Sequence, residues 1–335
     1  MIENEVSLPD APAIAGLRFR AFDPERDYGA FAALIHTCHL ADGTDWLPTA
    51  ASLRSDDEHG GEFDPRLDVL LAEIAGELVA AARTNVRTRG GIGVHHVEGW
   101  VRPDRRRQGL GRALLRWTER RAAEVARADG RGPERALSAW PEEAQAGALA
   151  LYESEGYRIV RYGFSMIRDL ADPIPDAPLP DGLEIRPVVE GDHRRIWDAD
   201  VEAFRDHWDS GERTESDFEA WFAEPDLDTS LWRVAWDGDE VAGSVMTFIW
   251  SEENEKLGIR RGWLEHVSVR RPWRRRGLAS ALIADSLRAL RAVGMTEGAL
   301  GVDAENVSGA LRVYEALGFR RHRTAVSYRK TFTLE

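Results

Sequence analysis

Residues 263–287 read WLEHVSVRRPWRRRGLASALIADSL, and this stretch decides the fold of the chain. Its first seven residues alternate with the period of a strand, an arginine-rich turn follows, and from Leu278 onward apolar residues recur at helical spacing. Gly277 permits a tight turn before the helix, and the unpaired N–H groups of the first helical turn favour an anion. The stretch therefore predicts a cradle for a phosphate or pyrophosphate, with an ordinary strand–turn–helix and a solvated basic corner as the alternative.

Two familiar phosphate loops do not fit this stretch. A Walker-type loop ends in Gly-Lys-Ser/Thr, and a dinucleotide loop needs a third small residue where the related run Gly109-Leu110-Gly111 reaches Leu114. The pattern that remains is Arg/Gln-x-x-Gly-x-Gly/Ala at residues 274–279. It resembles the acetyl-CoA pyrophosphate loop of the GCN5-related N-acetyltransferases (GNAT). Residues 301–319 resemble a later strand and helix of the same family, which end in Tyr-Glu-x-x-Gly-Phe.

Both motifs occur twice at a nearly constant offset, which indicates a duplicated domain. Residues 103–114, PDRRRQGLGRAL, match the opening stretch, and LALYESEGY at 149–157 matches the late helix. Between the copies, the proline-rich residues 171–182 favour a stiff, extended connector. We therefore expect an N-terminal GNAT-like domain at 1–170, a linker at 171–182 and a C-terminal GNAT domain at 183–335.

Each half is predicted to fold as β-α-α-β-β-β-α-β-α-β. The first half contains candidate helices at 28–39 and 48–57 and a hairpin that turns at Gly76; the second contains helices at 193–204 and 215–222 and a hairpin across Asp237-Gly238-Asp239. The predicted class is α+β, with a mixed, mostly antiparallel sheet flanked by helices in each of two tandem domains. This is also the fold that the family resemblance implies.

The composition limits the partners and the compartment. A net charge of −14 argues against nucleic acid as a partner, and the sequence has no apolar run long enough to span a membrane. A single cysteine, Cys38, excludes an internal disulfide and suits a reducing compartment. Residues 1–10 contain three acidic residues and no basic region, so we do not expect a signal peptide. We expect a cytoplasmic protein, either a monomer or a homodimer.

The family resemblance assigns the catalytic roles in the second half. A main-chain N–H at Val269 polarises the thioester carbonyl, and strand alternation places Glu265 on the face of Val267 and Val269, where it is the candidate general base. Tyr314 matches the tyrosine that protonates the departing thiolate. The alternatives are a solvated or salt-bridged carboxylate for Glu265 and an aromatic packing residue for Tyr314.

The resemblance also implies which residues bind acetyl-CoA. In the second half these are Val267, Val269, Arg274, Arg275, Arg276, Gly277, Leu278, Ala279, Ser280 and Asn306. In the first half the corresponding residues are Val101, Arg106, Arg107, Gln108, Gly109, Leu110, Gly111 and Arg112.

The first half keeps the loop and Tyr152 but loses other features. Val97 stands where the second half has Glu265, Ala144 stands where it has Asn306, and His95 is the remaining candidate base. We therefore expect catalysis mainly in the C-terminal half, with the first half binding a CoA-like ligand or supporting the second.

The acceptor is predicted to be a small-molecule primary amine. The family places its acceptor groove at the helical segment of the second half that contains Phe204, Asp206, His207 and Trp208. No metal site is predicted, because His36, Cys38 and His39 have no further spaced partners. The two-domain arrangement is similar to that of the mycothiol synthases, and an antibiotic-amine acetyltransferase fits equally well. The non-enzymatic alternative is a tandem module that binds CoA or another metabolite.

Overall fold

The computed structural model describes residues 5–58, 63–89, 92–129, 134–205, 207, 211, 213–223, 227–305 and 309–334. The predicted site residues Asp206, Trp208 and Asn306 lie outside this described part. In the remainder, no helix has the length and apolar character needed to cross a membrane.

The strands and helices are as follows. The strands are β1 (Glu5–Val6), β2 (Leu17–Ala21), β3 (Val69–Ile74), β4 (Glu77–Arg89), β5 (Ile92–Val101), β6 (Glu134–Ala139), β7 (Arg158–Asp169), β8 (Glu184–Arg186), β9 (Arg233–Asp237), β10 (Glu240–Phe248), β11 (Arg261–Val269), β12 (Glu297–Asp303) and β13 (Arg320–Thr333). The helices are α1 (Tyr28–Asp42), α2 (Ala50–Glu58), α3 (Pro65–Asp68), α4 (Leu110–Ala128), α5 (Ala146–Ser154), α6 (His193–Phe204), α7 (Glu215–Phe222), α8 (Ser251–Leu257), α9 (Leu278–Ala292) and α10 (Ala310–Ala316).

The chain forms two compact units. The first comprises Met1–Val160, Thr214–Pro225 and Val326–Glu335, and the second comprises Arg161–Arg213 and Asp226–Ala325. The units therefore cut the chain differently from the predicted repeats. The boundaries at 170 and 183 remain a proposal about how the sequence was duplicated.

The sheet of the first unit has the order β1-β2-β3-β4-β5-β6-β13. All pairs in it are antiparallel except β5 and β6, and β13 contributes its residues Tyr328–Thr333. Helix α4 packs on β4 and β5, as does α1, and the buried residues form apolar clusters around each helix. Helix α7 has the predicted bounds but packs against α2 in this unit.

The sheet of the second unit has the order β7-β12-β11-β10-β9-β8. Its β11–β12 pair is parallel and the others are antiparallel, and β7 contributes Gly163–Asp169. Helices α6 and α9 both pack on β10 and β11, and the buried face of α9 joins one large apolar cluster. The prediction of mixed, mostly antiparallel sheets with flanking helices is confirmed. The last strand of the first repeat, β7, belongs to the sheet of the second unit. The last strand of the second repeat, β13, belongs to the sheet of the first unit.

The proline-rich segment at 171–182 forms neither helix nor strand. Its apolar residues Ile174, Ala177 and Leu179 pack against the core of the second unit, and the Pro175 carbonyl accepts a hydrogen bond from Arg288 at 3.1 Å. The segment therefore lacks regular secondary structure, and it packs on the second unit where an unpacked connector was predicted.

Candidate active site

An opening between β11 and β12 determines where a ligand can enter the second unit. The two parallel strands pair only from Arg261/Glu297 to Trp263/Ala299. Beyond that point the rest of β11 is paired with β10 alone in the described part of the sheet. The separation of the strands leaves one edge of β11 available to a ligand.

The main-chain groups at this edge follow from the β10–β11 register. The N–H of Arg270 donates to the Ala242 carbonyl at 3.0 Å, so alternate residues back along β11 direct their N–H and C=O groups towards β10. Val267 and Val269 lie between these residues, so their main-chain N–H and C=O groups point away from β10 and into the opening. The Val269 carbonyl accepts a hydrogen bond from Arg274 Nε at 2.9 Å, which leaves the Val269 N–H as the donor at the opening.

The predicted phosphate cradle lies at the end of β11. Arg275 and Gly277 both have left-handed backbones, with φ of 63° and 88°, and Gly277 directly precedes α9. A Cβ built on Gly277 would meet nothing within 4 Å, so the corner is open. The arginines at 275 and 276 are exposed and form no ion pair within the described residues. Open N–H groups at a helix start beside unpaired guanidinium groups fit a pyrophosphate.

The other predicted cofactor residues of this loop hold its shape. The Arg274 guanidinium donates to the carbonyls of Val269 and Ala203, the latter at 3.0 Å, so this side chain is used inside the fold. Leu278 is 1% exposed and anchors α9 in the core, while Ala279 and Ser280 supply first-turn N–H groups.

The loop of the first unit has the same backbone but a different neighbour. Arg107 and Gly109 have φ of 63° and 90°, and Arg106 Nε donates to the Val101 carbonyl at 3.0 Å. However, a Cβ on Gly109 would lie 3.2 Å from Cβ of Pro12. The N-terminal segment therefore approaches this corner at Pro12, although Gly109 itself is exposed, and nothing comparable lies near Gly277.

Several contacts hold the N-terminal segment against α4. Asp10 accepts hydrogen bonds from Arg116 at 3.1 Å and Arg120 at 2.7 Å, and the two guanidinium groups lower the pKa of this carboxyl, Arg120 most. Leu8 is buried in the cluster that contains Leu110. The remaining predicted cofactor residues of this loop are also committed elsewhere or exposed: Arg112 pairs with Glu155 at 2.7 Å, Gly111 packs near Leu151, and Gln108 is exposed.

A β-bulge displaces Glu265 from the regular strand pattern. His266 pairs with Met246 and Leu264 pairs with Thr247, so Glu265 is the extra residue. Strict alternation, on which the predicted face of Glu265 rested, ends there. In the first unit β4 and β5 pair without such a bulge.

The surroundings of Glu265 favour its neutral form. Its side chain keeps contact with solvent, yet the surrounding protein desolvates the carboxyl group and raises its pKa. The charge of His266 and the indole N–H of Trp250 oppose this rise. Glu265 forms no ion pair with an arginine in the part of the chain that the structure describes. A carboxyl group with a raised pKa binds a proton more readily than an ordinary glutamate does, as a general base requires.

The two late-helix tyrosines differ in what their hydroxyl groups bind. Tyr152 donates to the Val97 carbonyl at 3.3 Å, at the strand position before Glu98. Tyr314 is 7% exposed and packs against Phe319 with ring centroids 6.2 Å apart, and its hydroxyl has no hydrogen-bond partner among the described residues. Desolvation raises the pKa of Tyr314 to about 12, which keeps the phenol protonated.

A cluster that the sequence did not reveal lies beside Glu265. Asp200 on α6 is fully buried, and its Oδ2 is 2.7 Å from Nδ1 of His266 and 3.3 Å from Nη1 of Arg213. Phe204 is one of the residues predicted to line the groove for the acceptor amine. Its ring centroid lies 5.2 Å from that of His266 and 5.4 Å from that of His207. No sequence motif links His266 to Asp200, which lies 66 residues away.

His95, the candidate base of the first half, does not reach a comparable cleft. It is 1% exposed, pairs with Leu137 across β5–β6 and lies 6.1 Å from the ring of Phe332. Within the described residues, no group of His, Cys, Asp and Glu side chains is arranged to hold a metal ion.

Comparisons with known proteins identify the family of both halves. Residues 193–319 match the model of the acetyltransferase (GNAT) family, and residues 65–159 match that of a GNAT acetyltransferase domain. The mycothiol acetyltransferase of Geodermatophilus obscurus is 32% identical over 306 residues, which are 90% of this chain and 93% of that protein.

Solved structures show the same fold over nearly the whole chain. A GCN5-related N-acetyltransferase from Sphaerobacter thermophilus matches with a TM-score of 0.73 and 29% identity, covering 98% of each chain. A tandem GNAT protein from the clavulanic acid biosynthesis pathway, at 19% identity, shares the fold with a TM-score of 0.67 over 94% of this chain and 98% of that one. This chain therefore belongs to the GNAT family, as a tandem N-acetyltransferase that uses acetyl-CoA.

Proposed function

We propose that this chain transfers the acetyl group of acetyl-CoA directly to a primary amine of a small molecule, in a ternary complex, at a site in its C-terminal repeat. The difference between the two cradles carries the proposal. Gly277 faces open space, whereas Pro12 lies against Gly109. The first half then supports the second without binding the cofactor.

The donor side of the site is formed by the loop and the strand edge. Acetyl-CoA supplies the activated thioester when it is bound. The first-turn N–H groups of α9 and the guanidinium groups of Arg275 and Arg276 bind its pyrophosphate. The N–H of Val269 donates to the thioester carbonyl and stabilises the negative charge that develops there.

The acceptor side handles two protons. Glu265 removes a proton from the ammonium group, directly or through a water molecule, so that the nitrogen lone pair can attack. Tyr314 donates its proton to the departing thiolate, and the second proton that the nitrogen loses as the amide forms restores the phenol. The Tyr314 hydroxyl has no hydrogen-bond partner among the described residues. Direct transfer requires no acyl-enzyme, and the amine and thioester must be bound together.

The acceptor that best fits the relatives is the cysteinyl amine of the mycothiol precursor. The basis is the 32% identity to a mycothiol acetyltransferase over 90% of the chain. An amine antibiotic is the second candidate. Release of CoA with a panel of amines, including the mycothiol precursor and aminoglycosides, distinguishes the two, and turnover on none of the amines would contradict the proposal.

Calorimetry with acetyl-CoA should detect one site per chain, and the Gly277→Ala variant should bind it about tenfold more weakly. Alanine at a left-handed φ is strained by about 1–2 kcal/mol, so the loop relaxes away from the shape that binds pyrophosphate. Gly109→Ala is the matched control, because its φ of 90° gives a similar strain. It should lose stability but leave acetyl-CoA affinity unchanged. Two sites in the wild type, or equal weakening by both variants, would contradict the assignment to the second half.

A further inference from the structure

The contact between Asp200 and His266 fixes the state of the imidazole. Asp200 is fully buried, and its Oδ2 lies 2.7 Å from Nδ1 of His266. The carboxylate is paired with Arg213 Nη1 at 3.3 Å, and an ionised carboxylate only accepts hydrogen bonds. Nδ1 must therefore carry the hydrogen. In the neutral ring, Nε2 is then the nitrogen with the lone pair.

The ring of His266 extends from this buried carboxylate towards the acceptor side. The His266 side chain is 15% exposed whereas that of Asp200 is 0% exposed, so a partly exposed ring is held by a buried carboxylate. The ring lies 5.2 Å from that of Phe204, a predicted acceptor residue. His266 also directly follows the bulge residue Glu265, and the extra residue in a bulge changes the direction of the side chains next to it.

We propose that His266, held by Asp200, is a proton-accepting partner of Glu265. This inference rests on the proposed role of Glu265 and adds the route by which the proton leaves the site. The ammonium N–H bond breaks as an O–H bond forms on Glu265. That O–H bond then breaks as an N–H bond forms at Nε2 of His266. The imidazolium then loses its proton to solvent, and both groups return to their starting forms.

The charged groups on α6 and on the segment after it form ion pairs. From α6 and the segment after it, Asp200 and Arg213 form one neutral pair, and Glu202 pairs with Arg270 at 2.9 Å. A proton on the ring is therefore partly compensated by a carboxylate in direct contact with it. A carboxylate–histidine pair with a purely structural role would contribute rigidity and no proton transfer, so the two roles predict different responses to added base.

The test uses the full chain with His266→Gln, assayed with saturating acetyl-CoA and amine. We expect kcat to fall about tenfold to hundredfold, with the KM for acetyl-CoA unchanged, because an acid–base partner is lost and the cradle is intact. The lost rate should return in proportion to the free-base concentration of added imidazole, and the wild type should not respond. A kcat within twofold of wild type, or a loss that imidazole does not restore in a folded variant, would overturn the proposal.

Asp200→Asn tests the same pair if His266→Gln does not fold. The amide can donate a hydrogen bond to Nδ1, which favours the opposite tautomer, so kcat should again fall and the acid limb of the pH profile should change. An unaltered profile would overturn the proposal. The matched control is Asp57→Asn, which changes another buried carboxylate, bonded to Arg83 and Tyr28, and should reduce stability without affecting the pH profile.

The result also separates this inference from the proposed function. If variants of Glu265 and Tyr314 lose activity while His266→Gln does not, the relay is wrong and the proposed function stands. If His266→Gln loses activity and Glu265→Gln does not, the base has been assigned to the wrong residue.

Discussion

Tyr314→Phe should lower kcat by at least about 100-fold while leaving acetyl-CoA affinity unchanged. The phenol is the proposed donor to the thiolate, and a positioned general acid contributes about 10²–10⁴ in rate. Because its pKa is raised to about 12, the group stays protonated across the working range and can donate at each turnover. The loss should appear equally in kcat and kcat/KM, since the interaction exists only as the thiolate forms. Steady-state CoA release and calorimetry measure the two quantities.

Tyr152→Phe is the matched control for this variant. Its hydroxyl donates to the Val97 carbonyl, so the change should cost about 1 kcal/mol of stability and leave kcat unchanged. The two tyrosines occupy equivalent helices, and of these two hydroxyl groups only that of Tyr314 lacks a partner among the described residues. A large loss of kcat with Tyr152→Phe, or a normal rate with Tyr314→Phe, would show that catalysis does not follow this difference.

The elements that could be predicted from sequence are those set by local patterns. The helices at 193–204 and 215–222 have the predicted bounds, and the hairpin turns across Asp237–Asp239 as expected. The left-handed backbone at Gly277 also follows from local chemistry, because glycine adopts that conformation at low cost. Periodicity and turn residues act over short distances, so one sequence reveals them.

The features that were missed depend on residues far apart in the chain. The bulge at Glu265 is defined by its register with β10, and the close approach to Gly109 comes from Pro12, about a hundred residues earlier. The pairing of Asp200 with His266 likewise joins α6 to β11. The sequence could not show that β7 pairs with β12 and β13 pairs with β6. Both repeats end in a strand with the same pattern, and that pattern fits either sheet.

Duplication has left two loops with the same backbone and different surroundings. The φ values are 63° and 90° in the first loop and 63° and 88° in the second. The conformation is therefore retained even where the N-terminal segment packs beside it. We infer that this turn also serves to pack the helix start against the sheet, as the burial of both Leu110 and Leu278 indicates.

Glu265→Gln should lower kcat/KM by about 10²–10⁴ and remove the acid limb of its pH profile. In the wild type, desolvation raises the pKa of Glu265 above that of an ordinary glutamate, so activity should fall as pH decreases through this raised value. Glu98→Gln is the matched control, since burial also raises the pKa of this carboxyl on β5 of the first unit. Its pH profile should equal that of the wild type.

The same substitution should make the protein more stable at alkaline pH. A carboxyl group whose pKa is higher in the folded than in the unfolded state binds protons more tightly when folded. Its contribution to stability is therefore fully present below the unfolded-state pKa and is lost as pH rises through the folded-state value. Glu265→Gln removes this loss of stability at high pH. The thermal midpoint of the variant should therefore exceed that of the wild type near pH 8. The difference should shrink as pH falls towards the pKa of the unfolded state. A variant that is inactive yet no more stable near pH 8 would show that Glu265 is not held in a desolvated cleft, and the argument for its role as the base would fail with it.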